Sequence, residues 1–125
     1  MIRELILSFH TGDDDLRGRN DNINLTLNTS DGTGAQLYPN INLGARWLSN
    51  YTESARVVLK QPMTPQQIRD LTFADTFSGG SGGDNWDMQQ LKVRALGGNL
   101  DGTLQTAGFK RFTGDDKQLV VPISH

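Results

Sequence analysis

The segment 22–28, Asn-Ile-Asn-Leu-Thr-Leu-Asn, alternates strictly between polar and apolar residues. A period of two matches a β-strand, in which successive side chains point to opposite faces, and differs from the 3.6-residue period of an amphipathic helix. We therefore expect a strand with Ile23, Leu25 and Leu27 facing a core. No stretch of the chain keeps a sustained helical period, so an all-β protein is predicted.

Several other segments carry strand patterns of their own. Strong patterns cover residues 2–10, 55–61 and 86–96, and weaker ones cover 35–43, 108–112 and 118–124. Thr64, Pro65 and Gln67 form a capping-box start, which predicts one helical turn before a strand from Ile68 to Phe73. The glycine-rich residues 78–85 are expected to form a long loop inside the domain. Together, these strand patterns predict an antiparallel β-sandwich of about eight strands, in a single domain spanning residues 1–125.

Composition narrows the classes of function. A chain of 125 residues with 35% apolar content can bury one core. Its net charge of −2 gives no reason to expect a nucleic-acid partner. Apolar runs are only a few residues long, so neither a transmembrane segment nor a signal peptide is predicted. The sequence contains no cysteine, which excludes thiol catalysis and disulfides but leaves the compartment open.

An acidic loop follows the first predicted strand. Asp13, Asp14 and Asp15 lie between Gly12 and Gly18, and Asp21 comes just before the alternating strand. Calcium takes six to eight oxygen ligands in irregular loop geometry, so such a loop is a candidate calcium site. The alternative is an ordinary polar turn, in which Arg17 and Arg19 neutralise part of the charge on the surface.

The motif Thr-Gly-Asp-Asp occurs twice, at residues 11–14 and again at 113–116. A third polar loop carries Asp84, Asn85 and Asp87. If these loops meet at one end of the sandwich, their oxygens could share an ion, with Asp84 joining the acidic loop. If they lie at opposite ends, the repeat is the same turn used twice. The residues alone leave both arrangements open.

Aromatic side chains supply the candidate binding surface, and catalytic residues are not predicted. Trp47 and Tyr51 lie in a stretch of mixed polarity, where exposed rings could stack on a sugar or enter a lipid interface. Core packing is an equal alternative for Trp47 and the preferred one for Trp86. His10 and His125 suggest no triad or metal site, and the carboxylates lie in wet loops where nothing raises the pKa of a general acid.

Two segments resemble a PLAT domain, the lipoxygenase-type β-sandwich. In the first, a strand is followed by Thr11-Gly12-Asp13 and then by Gly18 and Asp21 before the alternating strand. The second is residues 82–93, where Trp86 leads into a strand in a pattern similar to the Trp-containing segment of that family. The first match contains an Arg19-Asn20 insertion, and the C-terminal segment departs from the aromatic-rich ending of the family.

The resemblance implies a non-catalytic accessory domain that places a larger protein at a lipid, membrane or protein partner. It also implies calcium in the loops at one end, and by position the ligands would be Asp13 and Asp21, with Asp14, Asp15 and Asp84 as neighbours. A calcium-dependent role would suit an extracellular setting. The alternative is a carbohydrate-binding module with structural calcium, which exposed aromatics on a sheet face would favour.

Overall fold

The computed structural model describes residues 1–16, 22–32, 34–76, 85–97, 100–113 and 116–123. Within these ranges the chain forms nine strands and one short 3₁₀ turn at Pro65–Gln67. The strands are β1 (Ile2–Thr11), β2 (Ile23–Thr29), β3 (Gln36–Tyr38), β4 (Thr52–Met63), β5 (Ile68–Asp75), β6 (Trp86–Gly97), β7 (Leu100–Ala107), β8 (Lys110–Phe112) and β9 (Gln118–Pro122).

The strands form two antiparallel sheets. The five-stranded sheet has the order β4-β1-β6-β7, with β8 paired to the start of β6, and the four-stranded sheet has the order β3-β2-β5-β9. The sheets pack face to face, as the edge-on contact of Phe9 with Phe73 at 5.6 Å illustrates. This confirms the prediction of an all-β antiparallel sandwich.

Burial follows the predicted alternation. Ile23, Leu25 and Leu27 are all fully buried in β2. Alternate apolar residues of β1, β4 and β6 are also buried, and they build a core shared by both sheets. After Thr64 the backbone makes the expected 3₁₀ turn, since the Gln67 side chain accepts a hydrogen bond from the Thr64 N–H at 2.8 Å, and β5 begins at Ile68.

Two predictions of local structure need comment. Strand β7 was not predicted, because Leu100–Ala107 mixes Gly, Thr and Gln without a clear alternation and is held by pairing with β6. In the 35–43 segment only Gln36–Tyr38 is a strand, since Pro39 cannot donate a ladder hydrogen bond. The predicted loop at 78–85 lies outside the described residues except for Asn85.

Candidate functional site

The described residues of the two Thr-Gly-Asp-Asp segments lie at the same end of the sandwich. Thr11 at the end of β1 pairs with Met88, and Phe112 at the end of β8 pairs with Trp86. Both strands therefore finish beside the start of β6. The segment 39–51 reaches the same end, where the Asn50 N–H donates to the Thr11 carbonyl at 2.8 Å. We call residues 12–16 and 39–51 the loop end.

A guanidinium connects the acidic loop to the start of β6. Arg111 Nη1 lies 2.7 Å from Asp14 Oδ2 and 2.5 Å from Asp87 Oδ1. Backbone hydrogen bonds run along the same contact, from Gly12 N–H to the Asp87 carbonyl at 2.8 Å and from Asp87 N–H to the Asp14 carbonyl at 3.0 Å. Hydrogen bonds to Asp14 and then to Asp87 raise the pKa of Arg111. Arg111 thus pairs with two carboxylates at once and offsets one of their two negative charges.

The other carboxylates of the acidic loop are placed differently. Asp15 forms an ion pair with Arg46, at 2.5 Å between Oδ2 and Nε, whereas Asp13 is exposed. Arginines distant in sequence thus supply the charge that the turn interpretation had assigned to Arg17 and Arg19, two residues outside the described part of the chain. Asp21 and Asp84, the remaining predicted metal ligands, also lie outside it.

The described carboxylates do not form a calcium-binding site. No group of three or more acidic or histidine side chains among the described residues is placed to hold a metal ion. Asp14 and Asp87 share Arg111, and Asp15 faces Arg46, so a cation at these three side chains would have to displace a guanidinium. The calcium site predicted at Asp13, Asp14, Asp15, Asp21 and Asp84 therefore stays a prediction.

Trp47 is buried, so the expectation that its ring is available at the surface is wrong. The side chain is 4% exposed and packs on Phe9 at 5.0 Å and on Trp86 at 5.7 Å between ring centroids. The physical reason is a backbone bridge, in which Trp47 and Leu16 exchange hydrogen bonds of 2.9 and 3.1 Å. This bridge folds the segment 39–51 back over the core.

Trp86 is the buried plug that the sequence predicts. It is fully buried, stacks on Phe112 at 5.2 Å, and donates its indole N–H to the Thr11 hydroxyl at 3.1 Å. Because Thr11 is also fully buried, this hydrogen bond links the end of β1 to the start of β6 inside the core. The loop end therefore packs on the buried rings of Phe9, Trp47 and Trp86, which we call the aromatic floor.

Three apolar side chains extend from the loop end into solvent. Tyr51 is 61% exposed, as the sequence suggested, and Leu48 and Leu43 are 47% and 87% exposed. Sequence reasoning missed Leu43 and Leu48, although the surrounding Asn40 and Gly44 marked a turn that would expose its central residues.

Leu43 occupies an unusual backbone conformation. Its φ is +54°, in the left-handed region that residues other than Gly and Asn seldom adopt. The turn is held firmly, because the Gly44 N–H donates to the Asn40 side chain at 2.7 Å and the buried Asn42 side chain donates to the Ala45 carbonyl at 2.9 Å. The leucine is thus presented on a preorganised turn.

A groove of about 620 Å³ opens beside Leu43. One wall is the segment 37–47, and the other is β4, which lies at the edge of its sheet. Lys60 ties the walls together, since its backbone N–H donates to the Tyr38 hydroxyl and its ammonium to the Leu37 carbonyl, each at 2.9 Å. The lining includes Leu37, Ile41, Leu43, Ala55 and Val57.

Solved structures of larger proteins share this architecture. Alpha-toxin of Clostridium perfringens, from an avian strain, matches 98% of this chain with a TM-score of 0.72 and 18% identity. Clostridium absonum alpha toxin matches 95% with a TM-score of 0.74 and 19% identity. A lipoxygenase deletion variant in complex with arachidonate matches 97% with a TM-score of 0.62 and 14% identity. The matched parts are PLAT domains. This chain has a PLAT-like fold.

The likeness is one of fold, and it concerns only part of each relative. The chain spans 31% of the length of the two toxins and 16% of the lipoxygenase. No protein-family model matches the sequence, and no curated protein matches it significantly. Within the described ranges there is no helix with the length and apolar character needed to cross a membrane.

Proposed function

We propose that this PLAT-like chain is a non-catalytic module that attaches a protein to a lipid surface through its loop end. The observation that carries the proposal is Leu43, a large apolar side chain that is 87% exposed on a left-handed turn. Leu48 and Tyr51 lie at the same end of the sandwich and would enter the interface with it.

Leu43 is a costly residue for the turn itself. A left-handed conformation costs a residue with a side chain about 1 kcal/mol, which Gly or Asn at this position would largely avoid. In the free protein the exposed leucine gains almost nothing in return, whereas full burial of a leucine contributes about 2 kcal/mol. An apolar phase outside the chain would supply that burial.

Tyr51 and Leu48 suit the boundary of such a phase. A tyrosine has an apolar ring and a hydroxyl that can remain in water, which is why this residue is common at membrane interfaces. The aromatic floor of Phe9, Trp47 and Trp86 holds the loop end in place. Docking would then require little ordering of the protein, which reduces the entropic cost of binding.

The comparisons support the same partner class. The PLAT-like domains of alpha-toxin and lipoxygenase are accessory domains that bind lipids or membranes. Because the chain spans a minor part of these enzymes, their catalytic activities are not part of the proposal. The non-catalytic role rests on the match to the accessory part.

Calcium is not a step in this proposal, because Arg46 and Arg111 already oppose the charge of Asp14, Asp15 and Asp87. The carbohydrate alternative has no added support in the described residues. A carbohydrate-binding module was expected to show exposed aromatic rings on a sheet face. The exposed rings of Tyr51 and Phe109 lie instead in the segments between strands. Protein partners likewise stay a prediction.

Sedimentation with phosphatidylcholine vesicles tests the proposal. The variant Leu43→Asn keeps the turn but removes the apolar side chain, so vesicle affinity should fall about tenfold. Thermal stability should stay level or rise, because Asn tolerates the left-handed region. The control is Val120→Thr, which alters an apolar residue of β9 that is 53% exposed and lies away from the loop end.

Three results would contradict the proposal. One is a wild-type protein that does not sediment with the vesicles. Another is equal sedimentation of wild type and Leu43→Asn, which would mean that the exposed leucine does not enter the lipid. A fall for Val120→Thr as large as that for Leu43→Asn would point to unspecific hydrophobic adhesion and would also refute it.

A further inference from the structure

The outer face of the five-stranded sheet carries two adjacent rows of polar residues near the loop end. Strand register places His10 between Thr52 and Gln90, and in the next row places Ser8 between Ser54 and Lys92. Neighbouring strands are about 4.8 Å apart, and same-face residues along a strand are about 7 Å apart. These side chains can therefore reach one small ligand.

The rows enclose a shallow depression of about 410 Å³, lined by Ser8, His10, Thr52, Gln90 and Lys92. Each of these residues can donate a hydrogen bond, and the lining contains no carboxylate. The side chains are partly ordered by contacts with each other. His10 Nδ1 lies 2.9 Å from the Thr52 hydroxyl, and the hydroxyls of Ser8 and Ser54 are 3.2 Å apart.

The charge of this depression differs from that of the adjacent row of the same face. One row further along, Arg56 pairs with Glu4, and Arg94 donates two hydrogen bonds of 2.7 Å to Asp101. Lys92, by contrast, has no carboxylate partner in the part of the chain that the structure describes. Positive charge is therefore balanced by ion pairs beside the depression and left unbalanced within it.

We propose that this depression binds a phosphate group, either on a lipid headgroup or as free inorganic phosphate. Lys92 supplies the opposing charge, and the Ser8 hydroxyl accepts a hydrogen bond from the adjacent Ser54 and donates its own hydrogen to a phosphate oxygen. The Thr52 contact at Nδ1 orients the His10 ring, so its other nitrogen faces the ligand.

The position of the depression connects it with the proposed lipid-binding role, on which the lipid source rests. Thr52 directly follows the exposed Tyr51, and His10 directly precedes Thr11 at the loop end. A domain that inserts Leu43 and Tyr51 into a bilayer would bring this face to the level of the headgroups. Phosphate recognition itself does not depend on that insertion.

Calorimetric titration with inorganic phosphate tests the site directly. Lys92→Gln should weaken phosphate binding about tenfold, because it removes a hydrogen bond to a charged group. Ser8→Ala should weaken it about threefold and serves as a second variant that leaves the charge unchanged. The matched control is Arg94→Gln, which removes one positive charge from the same strand and face but outside the depression.

Vesicles separate the two sources of phosphate. Wild type is compared on phosphatidylcholine and on phosphatidylcholine containing phosphatidic acid. Tighter binding to the second that is lost in Lys92→Gln but kept in Arg94→Gln identifies the lipid source. Binding of free phosphate with no preference for phosphatidic acid identifies the free ion. Leu43→Asn should weaken binding to both kinds of vesicle without changing the affinity for free phosphate. Failure of the lipid role and failure of the phosphate site are therefore distinguishable.

Two kinds of outcome would overturn the proposal. The first is a wild-type protein with neither phosphate heat nor a preference for phosphatidic acid. The second is equal weakening in Lys92→Gln and Arg94→Gln, or no weakening in Lys92→Gln and Ser8→Ala, since either would place any binding outside the depression.

Discussion

Replacement of Thr11 by Val tests the link between the acidic loop and the core. The Trp86 indole N–H donates to the Thr11 hydroxyl at 3.1 Å, and both residues are fully buried. An indole has a single donor, so Thr11→Val, which keeps the shape but removes the oxygen, leaves that donor with no acceptor. Burial of an unsatisfied donor is the expected consequence.

The magnitude follows from this burial. An unsatisfied buried donor costs about 1–3 kcal/mol, and the greater apolarity of Val offsets part of it, so we expect a loss of about 1–2 kcal/mol in the free energy of unfolding. For a chain of this size that is a fall of about 4–8 °C in Tm. Urea unfolding and thermal unfolding, each followed by tryptophan fluorescence, measure the two quantities.

A double-mutant cycle isolates the hydrogen bond from other effects of the substitution. In Trp86→Phe there is no N–H to satisfy, so adding Thr11→Val should cost close to nothing, although Trp86→Phe itself destabilises the core. Equal costs of Thr11→Val in the two backgrounds would refute the reasoning, because the penalty would then come from packing at Thr11 alone.

Two further predictions concern charge. Burial raises the pKa of the Asp70 carboxyl, but hydrogen bonds from Asn28 and neighbouring donors outweigh this and leave the pKa lowered. Asn28→Ala should therefore destabilise the protein above about pH 4, and the deficit should shrink as pH falls through the lowered pKa of the wild type; a pH-independent deficit in Tm would contradict this. Arg111→Gln should tighten calcium binding measured by calorimetry, because Asp14 and Asp87 lose their shared cation. Unchanged affinity would reject Arg111 as the competing cation, and no heat from either protein would reject the calcium prediction.

Much of the fold is readable from local periodicity. Leu91, Val93 and Ala95 alternate with charged residues in the sequence, and all three are buried on the inner face of β6. The reason is that a two-residue period of apolar side chains matches a β-strand with one face buried. Strand β7 was not predicted, because its residues lack that period and form a strand only through pairing with β6.

The candidate site was only partly predictable. Asp13 to Asp15 and Tyr51 were named from the sequence, but the cations that face the carboxylates were not, since Arg46 and Arg111 are remote along the chain and reach Asp15 and Asp14 only after the loops meet. The same limit applies to the polar depression. Ser8, Ser54 and Lys92 share a row only because their strands pair in that register.

Trp47 shows most plainly where the two kinds of information divide. Its neighbours in the sequence are of mixed polarity, which left an exposed ring and a buried ring as equal alternatives. Its backbone bridge to Leu16 decides for burial. Local alternation predicted most of the strands and their apolar faces, because those properties depend on residues two positions apart. Which loops meet, which charges pair and which apolar side chains stay in water could be seen only in the folded chain, because these features depend on contacts between strands distant in the sequence.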